Sequence, residues 1–123
     1  MSNPVVHFEV VGRDAAALQN FYRQAFGWQI DAPGHGAGPP DYAMVHPQAG
    51  TGIDGGIGGG IGESDEGHVT FYVAVPDIKA ALSAIKALGG TRVFGPEDVP
   101  GGPTIALFAD PEGHTVGLVQ VRE

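Results

Sequence analysis

The sequence contains no cysteine and few basic residues, and these two deficits exclude several classes of protein. Without cysteine, the 123-residue chain has no disulfide framework, no thiolate nucleophile and no sulfur ligand for zinc. Its six Lys and Arg residues stand against fourteen Asp and Glu residues, which gives a formal net charge of −8. Nucleic acid and anionic membranes are therefore excluded as expected partners, because Lys and Arg supply most of the affinity for both.

Long hydrophobic runs are absent as well. No apolar stretch approaches the roughly 18 residues that span a bilayer, and the opening residues MSNP lack the basic and apolar regions of a signal peptide. We therefore expect a cytoplasmic protein. Glycine and proline are abundant, with 21 and 10 residues, but 42% of the chain is hydrophobic, which favours a globular, loop-rich single domain over disorder.

An internal repeat organises the chain. A shift of 63 residues, from Val5 to His68, aligns residues 5–30 with residues 68–93 without a gap. Each copy opens with a run typical of a half-buried strand and continues to an acid that can cap a helix, Asp14 or Asp77. Gly27 and Gly90 match at the same shift and can end the two helices, with Gly89 an equally good stop for the second.

The periodicity within each copy predicts two helices and six further strands. The apolar stripes expected to pack on a sheet are Leu18, Phe21, Tyr22 and Ala25 in the first helix and Ile78, Ala81, Leu82, Ile85 and Leu88 in the second. Strands are predicted at 28–31, 42–45, 52–57, 91–94, 104–108 and 115–121, with a tight turn at 110–113. Glycine- and proline-rich loops at 32–40 and 95–103 are candidate lids.

These elements predict an α+β fold built from two tandem βαβββ modules. One module covers about residues 4–58 and the other about 68–122, joined by a linker at 59–67. Neither module alone buries both faces of its sheet. We therefore expect the two to form a curved mixed sheet around a shared hollow, with the helices outside.

Four motifs resemble the vicinal oxygen chelate superfamily, which holds glyoxalase I, extradiol dioxygenases, fosfomycin resistance enzymes and bleomycin resistance proteins. They are VHFEV at 6–10, the segment from Asp14 to FGW at 26–28, the segment from FYV at 71–73 to GG at 89–90, and DPEGH at 110–114. Together they span nearly the whole chain. The resemblance implies a small-molecule ligand and a homodimer, and a short glycine-rich chain with sheet edges to cover is compatible with that assembly.

The resemblance also implies four metal-ligand positions, one in the first and one in the last strand of each module. His7 occupies the first position in register. Thr70 stands at the second, since His68 lies two residues upstream, and Gly117 stands where the last glutamate is usual. Near the fourth position only Asp54 carries a carboxylate. One histidine in register does not make a divalent-metal site, so we expect no metal and no cofactor.

Strand alternation places a set of polar side chains toward the hollow, where we expect them to bind the ligand. They are His7, Glu9, His68, Thr70 and Tyr72. Two alternatives stay open at this point. His7, His68 and Glu9 could form an irregular metal site, and Glu9 could act as a general base if desolvation raises its pKa. The structural alternative is that Glu9 is hydrogen-bonded to His7 or His68 and stiffens the wall.

Three other histidines, His35, His46 and His114, are expected to be structural or at the surface. The segment 50–55 matches the dinucleotide fingerprint G-x-G-x-x-G, but it runs into more glycine and not into a helix, so it indicates a close-approach strand followed by a flexible linker. The favoured function is metal-free binding of a small molecule. The alternatives are an enzyme (a lyase, isomerase or dioxygenase) and a sensing module that keeps only the scaffold.

Overall fold

The computed structural model describes residues 2–34, 40–47, 52–59 and 67–120. The chain divides into two compact units, one covering His7–Val69 and the other covering Met1–Val6 with Thr70–Glu123. The described residues contain two helices and eight strands. None of the helices in these ranges is long and apolar enough to cross a membrane.

The first module has the predicted order of elements. These are β1 (Val5–Gly12), α1 (Ala15–Phe26), β2 (Gln29–Ile30), β3 (Ala43–His46) and β4 (Gly55–Gly59). The strands lie in the order β2, β3, β4, β1, with β1 parallel to β4 and the other neighbours antiparallel. The fingerprint-like segment therefore leads into a strand, as expected, while the linker beyond it lies largely outside the described residues.

The second module repeats this arrangement. Its elements are β5 (His68–Val75), α2 (Ile78–Ala87), β6 (Thr91–Asp98), β7 (Thr104–Ala109) and β8 (Thr115–Gln120). The strands lie in the order β5, β8, β7, β6, with β5 parallel to β8 and the other pairs antiparallel. The predicted α+β class and its two βαβββ modules are confirmed.

Both helices begin at the predicted acids. The Asp14 carboxylate accepts a hydrogen bond from the backbone N–H of Ala17 at 3.0 Å, and that of Asp77 accepts one from Ala80 at 3.1 Å. Each bond satisfies a donor that the first helical turn leaves without a backbone partner. Helix α1 ends at Gly27, whose φ is +68°, whereas in the second module the left-handed residue is Gly89 at +103° and not Gly90.

The buried faces of the helices differ from the predicted stripes at three positions. In α1 the residues that face inward are Ala15, Leu18, Gln19 and Tyr22, while Phe21 is 60% exposed and Ala25 is exposed too. In α2 the predicted stripe is correct except for Leu88, which is 80% exposed just past the last turn. In α1 the predicted face and the observed face both fit a helical period of about 3.6 residues. The sequence pattern therefore allowed either one, and packing against the sheet selects the face that contains Gln19.

The predicted loop at 95–103 is wrong in its first four residues, because β6 continues through residues 95–98. This strand pairs with β7 as far as Asp98 opposite Thr104, and the register shift between Phe94 and Glu97 accommodates Gly95 and Pro96. Only residues 99–103 remain as a loop, closed by a hydrogen bond from Val99 N to Pro103 O at 2.9 Å. The turn at 110–113 is confirmed. In the other candidate lid, at 32–40, residues 35–39 lie outside the described residues.

Candidate functional site

The two faces of the first module's sheet have different roles. On β1, Phe8 and Val10 pack into the module's hydrophobic core together with Leu18 of α1. Because successive side chains of a strand point to opposite faces, His7 and Glu9 lie on the face away from the helix. The predicted orientation of these two residues is therefore correct.

A chain of hydrogen bonds joins His7 and Glu9 to Tyr42, which precedes β3, and to His68, the first residue of β5. His7 Nε2 lies 2.8 Å from Tyr42 Oη, and Tyr42 Oη donates to Glu9 Oε1 at 3.2 Å. The second oxygen of Glu9, Oε2, lies 3.1 Å from His68 Nε2. We call these four residues, His7, Tyr42, Glu9 and His68, the polar cluster. All four belong to the same compact unit.

Tyr42 was not predicted as a site residue, and glycines explain how it reaches the cluster. It precedes β3 and lies opposite Gly58, and its ring continues over Gly56, which pairs with Glu9 on β1. A tyrosine at the edge of β3 must cross the full width of β4, about 5 Å per strand spacing, to meet β1. A side chain at position 56 or 58 would overlap the ring, so only glycine leaves that path open.

Burial sets the electrostatics of the polar cluster. Glu9 is only 6% exposed, and both of its oxygens take part in the hydrogen bonds just described. Burial lowers the pKa of His7, because removing the ring from water disfavours its charged form, and this outweighs the attraction of the Glu9 and Asp54 carboxylates. His7 is therefore a neutral imidazole near pH 7, with one N–H donor and one acceptor nitrogen.

In the second module, Thr70 and Tyr72 lie on the face of β5 away from α2, since Val73 and Val75 pack in that module's core. Thr70 Oγ1 donates to the backbone oxygen of Thr115 at 2.6 Å. Tyr72 is buried, and its ring covers Gly117 on the neighbouring strand β8. This repeats the arrangement of Tyr42 over the glycines of β4. The ligand-binding role of both residues stays a prediction.

The residues present do not fit the divalent metal that the superfamily resemblance implies. Any side chain at Gly117 would overlap the Tyr72 ring, so the usual carboxylate has no room there. Glu9 shares its oxygens between Tyr42 and His68 and does not converge with both histidines on one point. Within residues 2–34, 40–47, 52–59 and 67–120, no three His, Cys, Asp or Glu side chains are placed to hold an ion.

His46 and His114 are held by nearby carboxylates. His46 bridges two of them, with Nε2 3.0 Å from Asp31 Oδ2 and Nδ1 3.1 Å from Asp54 Oδ2, and these hydrogen bonds raise the pKa of His46. Asp54, the carboxylate near the fourth ligand position, is thus paired with His46. His114 is exposed and contacts Asp110 within its turn, and hydrogen bonds from the backbone and side chain of His114 lower the pKa of Asp110. His35 lies outside the described residues.

Comparison with known proteins agrees with this architecture. The glyoxalase-like domain model matches residues 7–119. The chain belongs to the glyoxalase-like domain family. A glyoxylase-like domain-containing protein of Didymella fabae is 30% identical over 112 residues, which cover 87% of this chain and 85% of that protein. This family places the chain in the vicinal oxygen chelate superfamily, as the sequence motifs predicted.

Other proteins similar to this glyoxalase-like protein have other names and lengths. The anthracycline biosynthesis protein DauV of Streptomyces sp. (strain C5) is 31% identical over 117 residues, covering 86% of this chain but only 42% of that protein. A Streptomyces coelicolor methylmalonyl-CoA epimerase variant in complex with 2-nitronate-propionyl-CoA superposes with a TM-score of 0.67 at 17% identity, covering 98% of this chain and 95% of that one. That likeness shows a shared fold.

Proposed function

We propose that this glyoxalase-like protein binds a small organic molecule at the polar cluster, without a divalent metal. The observation that carries the proposal is the hydrogen-bonded set of His7, Tyr42, Glu9 and His68 on the sheet face that does not pack against α1. A few convergent polar groups on an otherwise apolar sheet are typical of ligand sites. The misfit of Gly117 to a metal ligand supports the metal-free form of the proposal.

The charge of the chain narrows the expected ligand. Coenzyme A esters carry several phosphate charges, and this protein has six Lys and Arg residues against fourteen acids. The polar cluster itself adds a buried carboxylate, Glu9, and a neutral imidazole, His7. Like charges near an anion are unfavourable, so we expect an uncharged ligand with polar groups that exchange hydrogen bonds with the two histidines.

The alternative is an enzyme in which Glu9 acts as a general base. A base must bring a lone pair to the substrate proton within hydrogen-bond reach. In this structure Tyr42 and His68 each occupy one oxygen of Glu9, which is the arrangement of a structural carboxylate. A base role would require one of these bonds to exchange for the substrate.

Metal analysis and ligand binding test the proposal together. We expect purified protein to hold no stoichiometric zinc, nickel, iron or manganese by mass spectrometry, and His7→Ala to leave the metal content unchanged. In thermal-shift assays with an uncharged anthracycline aglycone, methylmalonyl-CoA and a broad metabolite panel, we expect stabilisation by uncharged compounds and none by the CoA ester.

Matched variants separate the site from the rest of the surface. His7→Ala should abolish the ligand-induced shift, whereas His114→Ala, which removes an exposed histidine in the 110–113 turn region, should leave it intact. One divalent ion per chain that disappears in His7→Ala would contradict the metal-free proposal. A panel in which no compound stabilises the wild type would contradict ligand binding itself.

A further inference from the structure

The direction of the hydrogen bonds in the polar cluster follows from how many protons each group carries. The Tyr42 hydroxyl has one proton, and it donates this proton to Glu9 Oε1. The oxygen of Tyr42 can then only accept from His7 Nε2, which lies 2.8 Å away. A neutral imidazole carries its proton on one nitrogen, so a donor at Nε2 leaves the lone pair on Nδ1.

We infer that Tyr42 is the positioning residue of the proposed binding site. Because its proton is donated to Glu9, its oxygen can only accept from His7, and this fixes the Nε2–H tautomer and the orientation of His7. This inference rests on the proposed function for its purpose but not for its geometry. It assigns a role to a residue outside the recognisable motifs of the sequence. Which nitrogen of His7 accepts and which donates decides the polarity of the ligand groups that His7 can bind.

The packing around Tyr42 makes it suited to that role. Its side chain is buried, with the ring lying over Gly56 and Gly58, so its hydroxyl has little freedom to move. The imidazole of His7 is nearly parallel to the phenol ring, with an angle of 19° between the planes and 6.5 Å between the centroids. A hydroxyl held this firmly can discriminate between two tautomers, because the wrong one would place two acceptors against each other.

Nitrogen chemical shifts of the histidine side chains test the inference without any ligand. In uniformly 15N-labelled full-length protein at pH 7.5, long-range 1H–15N spectra distinguish a protonated ring nitrogen from one with a lone pair. His7→Gln identifies the His7 signals by their loss. We expect wild-type His7 to show a protonated Nε2 and an unprotonated Nδ1.

Two variants and one control make the test specific. Tyr42→Phe keeps the ring over the glycines and removes the hydroxyl, so the two His7 nitrogen shifts should move toward each other as both tautomers become populated. Glu9→Met removes the acceptor, which frees the Tyr42 proton to turn toward His7 and should produce the Nδ1–H form. Tyr22→Phe, in the aromatic cluster of α1, should leave the His7 signals unchanged.

Three results would overturn the inference: a wild-type His7 protonated on Nδ1, an unchanged His7 tautomer in Tyr42→Phe, or an unchanged tautomer in Glu9→Met. None of them depends on whether a ligand binds. A fixed tautomer in a protein that no small molecule stabilises would remove the proposed function and leave the role of Tyr42 standing. The opposite pair of results would remove only the role of Tyr42.

Discussion

The ring of Tyr42 above Gly56 predicts a strong coupling between these two positions. Gly56→Ala would place a methyl group inside the space of the Tyr42 ring and hydroxyl. The ring must then move, which loses its hydrogen bonds to His7 and Glu9, at about 1 kcal/mol each, and adds about 1–3 kcal/mol of overpacking. The lower chain entropy of unfolded alanine offsets about 0.4–1 kcal/mol. We expect a net loss of about 2–5 kcal/mol in the free energy of unfolding.

A double-mutant cycle isolates this effect. In a Tyr42→Ala background the space above Gly56 is open, so Gly56→Ala should change the free energy of unfolding by less than about 1 kcal/mol, and in the stabilising direction. The coupling energy should therefore reach at least about 2 kcal/mol. Urea unfolding followed by fluorescence suits the measurement, because the single tryptophan, Trp28, packs on Tyr22 and Phe26 in the same module. An equal cost of Gly56→Ala in both backgrounds would refute the proposed contact.

Three further predictions concern stability and assembly. Gln19→Leu should cost about 2 kcal/mol in urea unfolding, because the Gln19 amide donates to the buried carbonyls of Asp41 and Ile57, whereas exposed Gln24→Leu should cost less than about 0.5 kcal/mol. The pKa of His46 is raised in the folded state, so the contribution of His46 to the free energy of unfolding is complete below about pH 6.5 and is lost as the pH rises through the folded-state pKa. The difference in stability between the wild type and His46→Gln should therefore shrink from about pH 6 to pH 8. A difference that stays constant over this range would contradict the prediction. Light scattering should show a homodimer at micromolar concentration, and a monomer mass would refute that expectation.

The framework of the fold was predictable because its signals are local. Strand alternation, an acid one residue before each helix and a glycine after it are all short-range features, and they placed β1, α1, β5 and α2 nearly to the residue. The errors arose where tertiary packing chose between equal local patterns. Phe21 fits the helical period as well as Gln19 does, yet Gln19 can satisfy two carbonyls of the neighbouring segments and is the one that faces the sheet.

Three of the four residues of the polar cluster were predictable, and the fourth was missed for a related reason. His7 and Glu9 could be placed by alternation along β1, and His68 by the same alternation along β5. Tyr42 acts on residues 33 and 35 positions away, and its reach depends on two glycines of an intervening strand. The sequence did contain a signal for this contact. Because Ala43 faces the core, its neighbour Tyr42 must point to the opposite face, where His7 lies, and the β4 positions that its ring crosses are glycines. Reading it required the register of three strands at once.

The cover that Tyr72 forms over Gly117 restricts the order in which this protein can acquire substitutions. A glutamate at position 117 cannot be accommodated while the Tyr72 ring covers that position. Loss of the ring alone leaves a cavity beside Gly117 and supplies no carboxylate ligand. A path from this chain to a metal-binding relative must therefore begin by shrinking Tyr72. Gly117→Glu should therefore cost much less free energy of unfolding in a Tyr72→Ala background than in the wild type, so a carboxylate at 117 becomes tolerable only after the ring has been reduced.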